Sequence, residues 1–390
     1  MRKNRKKIPA FILAGVLAAG SAVPAFASSP EFARTAEEWA ALRDNKMEYG
    51  ELEGLIQEYN PTVQQDQYDY RQFKEDYGDT KEDVSQSYRD LANELLNDID
   101  YPSIDDADYA SRMTAALSAE TQAKNLQSTA DKNLEDAGTK KLNYEMVEKT
   151  LVQTAQNNMI SYHTGLLDIQ KSTRSKDLTA ILLSAAQAKK NAGTGTDVDV
   201  LTAQQNDLTA QQTLLKAQSD LDQTKRKLQI MLGWAADGAP GIGSIPEPDA
   251  GRIDRMDPAS DRAKALENNY TLRVNKRKLA NSNSQSQKDT LTSTIADNEA
   301  KIAASLVNDY QNAVNARNSF TALETAAQLK NITLSQTAQK YAVGAASRME
   351  LDQAQIESDL AGLSLQQAKL SLFESMEAYD WDVSGLANAS

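Results

Sequence analysis

Cysteine is absent from the 390-residue sequence, histidine occurs once, and glycine and proline are sparse at 17 and 9. The first absence excludes disulfides, Cys-ligated metal and thiol nucleophiles. The second leaves His163 with no other imidazole or thiol to pair with. Acid–base or nucleophilic chemistry needs a base held by an orienting partner. His163 therefore reads as a packed or solvated residue, and neither an enzyme nor a cofactor is expected. Few breakers, aromatics of only 6% and a mean hydropathy of −0.58 disfavour a β-rich or thick-cored α/β protein. They leave long helices joined along narrow apolar seams. The net charge is −13, and an acidic surface repels phosphate, so nucleic acid is not an expected partner.

The first residues are basic and then apolar. Arg2, Lys3, Arg5, Lys6 and Lys7 precede an Ala- and Leu-rich run from Ile8 to about Val23, and Ala25, Phe26 and Ala27 give a small-x-small cleavage pattern. Residues 1–27 read as a secretory signal peptide. No comparable apolar run follows, and a helical span needs about 20 apolar residues. The expectation is an exported protein of the cell envelope, held together by packing alone.

Two features organise the remainder. Residues 235–258 are rich in Gly and Pro and read as a linker or irregular surface excursion. On either side lies one copy of a repeat, expected over 28–234 and 259–390. Gly193, Thr196, Asp199, Val200, Ala203 and Gln204 match Gly344, Ser347, Glu350, Leu351, Ala354 and Gln355 without a gap, as G-x-x-[ST]-x-x-[DE]-[VL]-x-x-A-Q. The units also open alike, with Asn60, Pro61, Thr62 and Val63 against Asn269, Tyr270, Thr271 and Leu272.

Each unit reads as a helical hairpin. Apolar and small residues recur in alternating steps of three and four at Val152, Ala155, Met159, Tyr162, Leu166 and Ile169, and again at Leu214, Ala217, Leu221, Thr224, Leu228 and Met231. The second unit repeats this from Leu351 through Ala354, Ser358, Ala361, Leu365 and Ala368 to Leu372. Such spacing keeps one seam against a partner helix, as in a coiled coil. A second apolar line, Leu360, Leu363 and Leu370, lies off that seam and calls for a second neighbour. The motif sits at the turn. Gly193 and Gly344 can end a helix in the left-handed conformation. Thr196 or Asp197, and Ser347, can cap the next helix, with Asp199 and Glu350 in its first turn. The glycines do not form a phosphate loop, since they follow a helix and no Gly-Lys-Ser/Thr comes after. Asp98, Asp100, Asp105, Asp106 and Asp108 lack the spacing of a calcium-binding EF-hand, and capping by Asp105 or Asp106 explains them more simply.

Two repeats, each with a Gly-x-x-[Ser/Thr] tip followed by Ala/Leu heptads and the first closing on Leu232 and Gly233, resemble the TolC family of outer membrane efflux proteins over roughly residues 50–381. The resemblance implies an all-α protomer of long antiparallel hairpins that contributes to a hollow helical barrel in a homotrimer. It implies a passive conduit for efflux or type I secretion, powered by an inner-membrane transporter and joined to it by a periplasmic adaptor. By position in the motif, the adaptor-facing tips would be Ala192, Gly193, Thr196 and Asp199, and Val343, Gly344, Ser347 and Glu350. The location would be the outer membrane where one exists, and otherwise the cell surface. Family members also carry a β-hairpin in each repeat. Here the second unit is too short between Asn269 and Gly344 for strands plus both helices, residues 281–297 show no apolar alternation, and 64–140 read as charged helix broken by the loop 98–108. Little or no β-barrel is therefore expected. The alternative reading is a helical envelope spacer of the same fold that conducts nothing.

Overall fold

The computed structural model describes residues 34–389. The signal-peptide expectation for 1–27 lies outside them. The first unit runs through α1 (Ala36–Arg43), β1 (Lys46–Met47), α2 (Leu52–Tyr59), α3 (Pro61–Tyr77), α4 (Lys81–Asn97), α5 (Tyr109–Lys132), α6 (Ala137–Asn191) and α7 (Asp197–Met231). After β2 (Gly241–Ile242) and a 3-10 turn (Ala250–Arg255), the second unit runs through α8 (Pro258–Asn268), α9 (Tyr270–Asn281), α10 (Gln285–Ala342) and α11 (Arg348–Trp381). The fold is all-α, built from two long antiparallel hairpins, α6–α7 and α10–α11. α6 has 55 residues and α10 has 58, so each is about 85 Å long at 1.5 Å per residue.

Paired short helices stand at the base of each hairpin, α2–α3 in the first unit and α8–α9 in the second. The turn between them is built by an asparagine with two duties. The Asn60 Oδ1 accepts from the Thr62 and Val63 amides, and its Nδ2 donates to the Met231 carbonyl at the end of α7 (2.8 Å). Asn269 Oδ1 accepts from the Leu272 amide, and its Nδ2 donates to the Ala387 carbonyl just past α11 (2.9 Å). One side chain thus caps an outgoing helix and fastens the end of the returning one.

Two hydrophobic cores lie at these bases. Leu52, Leu55, Ile56, Met159, Leu228 and Leu232 form the first, and Ile253, Leu272, Ile302, Leu306, Leu372 and Met376 the second. The 3–4 seams are buried here, at Val152, Ala155, Met159 and Leu228, and become half-buried toward the tips, at Tyr162, Leu166, Leu214 and Leu221. Among the described residues, each hairpin toward its tip has only helix neighbours within a single layer. The hairpins stand side by side because α6 packs on α11, giving the order α7–α6–α11–α10. The second apolar line of α11 is explained by this: Leu370 packs against the first core.

The units differ in what joins the short helices to the long one. In the second, three residues, 282–284, separate α9 from α10. In the first, the antiparallel pair α4–α5 is inserted between α3 and α6. Its seam is small-residue, with Ala116, Ala123 and Ala130 of α5 buried one heptad apart, opposite Val84, Ser85 and Ala92 of α4. The pair is fixed at its root, where Tyr88 packs on Tyr77 (5.6 Å between ring centroids) and Asn133 Nδ2 donates to Ser85 Oγ (3.3 Å). At its far end Asp106 does not cap α5. It accepts from the Ser103 amide (2.9 Å) and from Arg112 (3.0 Å), so the carboxylate closes the loop and anchors a guanidinium. Asp108 stands at the cap position without a side-chain bond to the helix backbone.

The segment 235–258 is tied down rather than loose. β2 pairs in parallel with β1, Ile242 and Ile245 pack on the first core, and Ile253 is buried in the second. His163 Nε2 donates to the Gly243 carbonyl (2.7 Å), which gives the single histidine a structural partner. Among the described residues no helix is long and apolar enough to cross a membrane.

Candidate functional site

The two hairpin ends are built alike. Gly193 and Gly344 both have φ +73°, and a Cβ placed on either would meet open space. The conformation, not crowding, demands glycine there. Around the first, the Thr194 amide returns to the Lys189 carbonyl (2.9 Å). Around the second, the Ala345 amide returns to that of Lys340 (2.7 Å).

The next helix then opens on a reciprocal cap. Thr196 Oγ1 accepts from the Asp199 amide (3.2 Å), while the Asp199 carboxylate accepts from the Thr196 amide (2.8 Å). Ser347 and Glu350 repeat this at 3.2 and 2.6 Å. These bonds, from the Thr196 and Ser347 backbone first and their hydroxyls second, hold both carboxyls below their ordinary pKa. Each tip thus presents a carboxylate that stays ionised. Of the two caps open in the sequence, Thr196 or Asp197, the structure uses Thr196, and Asp197 instead pairs with Lys190 across the turn. Ala192, Gly193, Thr196, Asp199, Val343, Gly344, Ser347 and Glu350 are all exposed. They fall into two four-residue sets, one per tip.

Behind the tips, polar bonds hold the hairpins in register. Arg174 of α6 meets Asp359 of α11 at 3.1 Å. Gln367 of α11 bridges two residues of α6, accepting from Lys171 (2.7 Å) and donating to Asp168 (2.6 Å). An open groove runs between α6 and α11 close to the tips, lined by Ile181, Ser184, Ala185, Met349 and Asp352.

The outer helices of the layer are unfinished. On α7, Leu201, Leu208 and Leu215 are 64, 58 and 66% exposed and fall one heptad apart, with Val198 (69%) one turn before. On α10, Leu329 and Ile332 are 62 and 55% exposed. The α7 leucines keep a constant seven-residue spacing, and among the described residues both helices show an apolar outer edge in solvent. The line Leu201, Leu208, Leu215 is visible in the sequence as a heptad beside the main seam. Sequence reasoning missed it because the order of helices in the layer was unknown.

The fold is that of outer-membrane channel protomers. The structure is similar to the outer-membrane channel OprN (TM-score 0.53, 12% identity, 89% of this chain and 92% of that one). It is similar to the Campylobacter jejuni CmeC outer membrane channel (0.52, 9%, 94% and 92%) and to CusC (0.51, 11%, 88% and 93%). No protein-family model matches the sequence, and no curated protein shows significant similarity to it.

Proposed function

We propose that this protein is the tube of a trans-envelope export assembly, a passive conduit in which three copies close a hollow helical barrel. The observation that carries the reading is the four-helix layer with two apolar edges. Among the described residues α7 at one edge and α10 at the other have exposed apolar residues on their outer sides, and they are different surfaces. Joining the α7 edge of one copy to the α10 edge of the next is a heterologous contact. Repeated with a rotation of a third of a turn per copy, it closes into a ring of three. The likeness to channel protomers supports conduction as the role, and the resemblance of the repeat motif implies three as the copy number.

In this reading the tips dock onto an adaptor protein that links the tube to an inner-membrane transporter. Their duplicated, exposed and ionised caps suit a partner that meets both hairpins in one way. The protein works exported, in the cell envelope, and performs no catalysis.

A second reading is favoured by α4–α5. A polar helical pair fills the first unit's insertion and only three residues fill the second's. This suits a helical spacer in a water-filled layer of the envelope. The two readings separate on solution mass, measured by light scattering on the exported form without detergent. A trimer supports the tube. A monomer at all concentrations overturns it and leaves the spacer.

A further inference from the structure

The strongest observation outside the tips and edges lies where α11 ends. After Trp381 the chain makes a wide turn, Asp382–Leu386, and its last described residues lie back across the second unit's base. A set of asparagines holds this segment. Asn268 donates to the Val383 carbonyl (2.9 Å), Asn269 to that of Ala387 (2.9 Å), and Asn298 to that of Ala389. Ala387 and Ala389 are 4% exposed and belong to the second core. Gly385 has φ +117°, and a Cβ there would come within 2.5 Å of the Asn268 carbonyl oxygen, so the turn fits tightly.

At the root of the segment sits Asp382, 5% exposed. Its Oδ2 accepts from Ser305 Oγ of α10 (2.9 Å), and the same hydroxyl oxygen accepts from the Asn388 amide (3.3 Å). The other charged group facing it is Asp309, one turn further along α10. Nearby charges on the other packed elements are engaged elsewhere. Arg252 of the 3-10 turn binds Glu377 and Asp380, and Asp261 of α8 accepts from the Tyr379 hydroxyl (2.6 Å). α6 contributes the uncharged Gln156, bound to the Trp381 indole. Among the described residues no cation pairs with Asp382. The buried Asp382 carboxyl faces the half-buried Asp309, and burial beside a like charge favours the neutral form of Asp382.

We propose that the segment 383–389 is a proton-dependent latch, docked on α10 while Asp382 is protonated and loosened when Asp382 ionises against Asp309. Burial first, and then the Asp309 charge, outweigh the Ser305 hydrogen bond and push the Asp382 carboxyl up to about 7. The docked state holds the proton more tightly than the undocked state, whose carboxyl titrates near 3.8. Docking is strongest below that value and weakens about tenfold per pH unit until about pH 7, where it levels off. The proton released goes to solvent. The latch closes the second core, so its state sets how firmly α10 and α11 are joined at their base.

The test is amide hydrogen exchange in the full chain, read as protection factors for 383–389 at pH 5.5 and pH 8. The wild type is expected to lose protection by roughly thirtyfold at the higher pH. Asp382→Asn, which imitates the neutral acid, should keep equal protection at both. Asp309→Asn removes the opposing charge, the smaller of the two causes, and should make the loss at pH 8 measurably smaller without abolishing it, which keeps the idea testable if Asp382→Asn does not fold. Equal protection of the wild type at both pH values would overturn the latch. So would an undiminished loss in either variant.

Discussion

Arg277 of α9 holds Asp136, the residue that caps α6, so a side chain of the second unit fixes the first turn of the first unit's long helix. Its Nε donates to both carboxylate oxygens at 2.7 and 2.9 Å. Asn281 of the same helix adds a third bond (2.9 Å), and the Thr139 amide a fourth (2.7 Å). Burial alone would raise this carboxyl, but these donors outweigh it and hold the pKa at about 2. The joint therefore contributes stability above about pH 4 that is lost as the pH falls through 2, roughly 2 kcal/mol in all. Arg277→Ala should cost about 2–3 kcal/mol at neutral pH, because it strands a buried carboxylate. It should also flatten the acid limb of stability, as measured by urea denaturation between pH 2.5 and 7.

The cores at the base and the edges of the layer should respond in opposite ways. Leu228 is fully buried, and Leu228→Ala should lower protomer stability by about 3 kcal/mol. Leu208 is 58% exposed, so Leu208→Lys should change unfolding by less than about 0.5 kcal/mol. Light scattering should nevertheless find the Leu208→Lys protein monomeric under conditions where the wild type assembles. Unaltered assembly would exclude this edge from the ring.

At the tips, Thr196→Ala and Ser347→Ala each remove one member of a reciprocal cap and should cost about 1 kcal/mol locally. Amide exchange over the first turns of α7 and α11 should report it, with exchange at the bases unchanged. Gly193→Val and Gly344→Val force a β-branched residue into the left-handed region, about 1–2 kcal/mol of strain at an open site. The helical circular dichroism should survive, and binding of a purified adaptor should be lost. Binding at wild-type affinity would remove the tips from the docking reading.

Arg174 and Asp359 join α6 to α11 with half of the Arg174 side chain in solvent. Arg174→Ala should cost under about 1 kcal/mol in unfolding. A spin-label pair placed on α6 and α11 near the tips should nonetheless show a broader distance distribution, because the remaining links, through Gln367, lie further from the tips. A distribution identical to that of the wild type would show that packing alone sets the register.

Much of this could be read from residue order. The heptad seam through Val152, Ala155 and Met159 is a local property, as is the turn at Gly193, so both were legible. The duty of Asn60 was half legible. A cap before Pro61 is a local pattern, but its bond to Met231 depends on a contact across the whole unit. The packing of 235–258 was hidden because Gly and Pro signal only the loss of a helix. They do not say whether Ile242, Ile245 and Ile253 find a core. The helix order was hidden for the same reason, since identical seams on α6 and α11 do not reveal that these two helices meet.

The hairpin ends are near-copies, so a closed ring of three chains would present six almost equivalent tips, a pseudo-sixfold circle. The α4–α5 pair exists once per chain, so the same ring carries only three of these arms, and any partner gripping them meets strict threefold spacing with gaps between. The molecule would therefore convert one rotational order into another along its axis, and a sixfold partner and a threefold one could be coupled through it without either breaking its own symmetry.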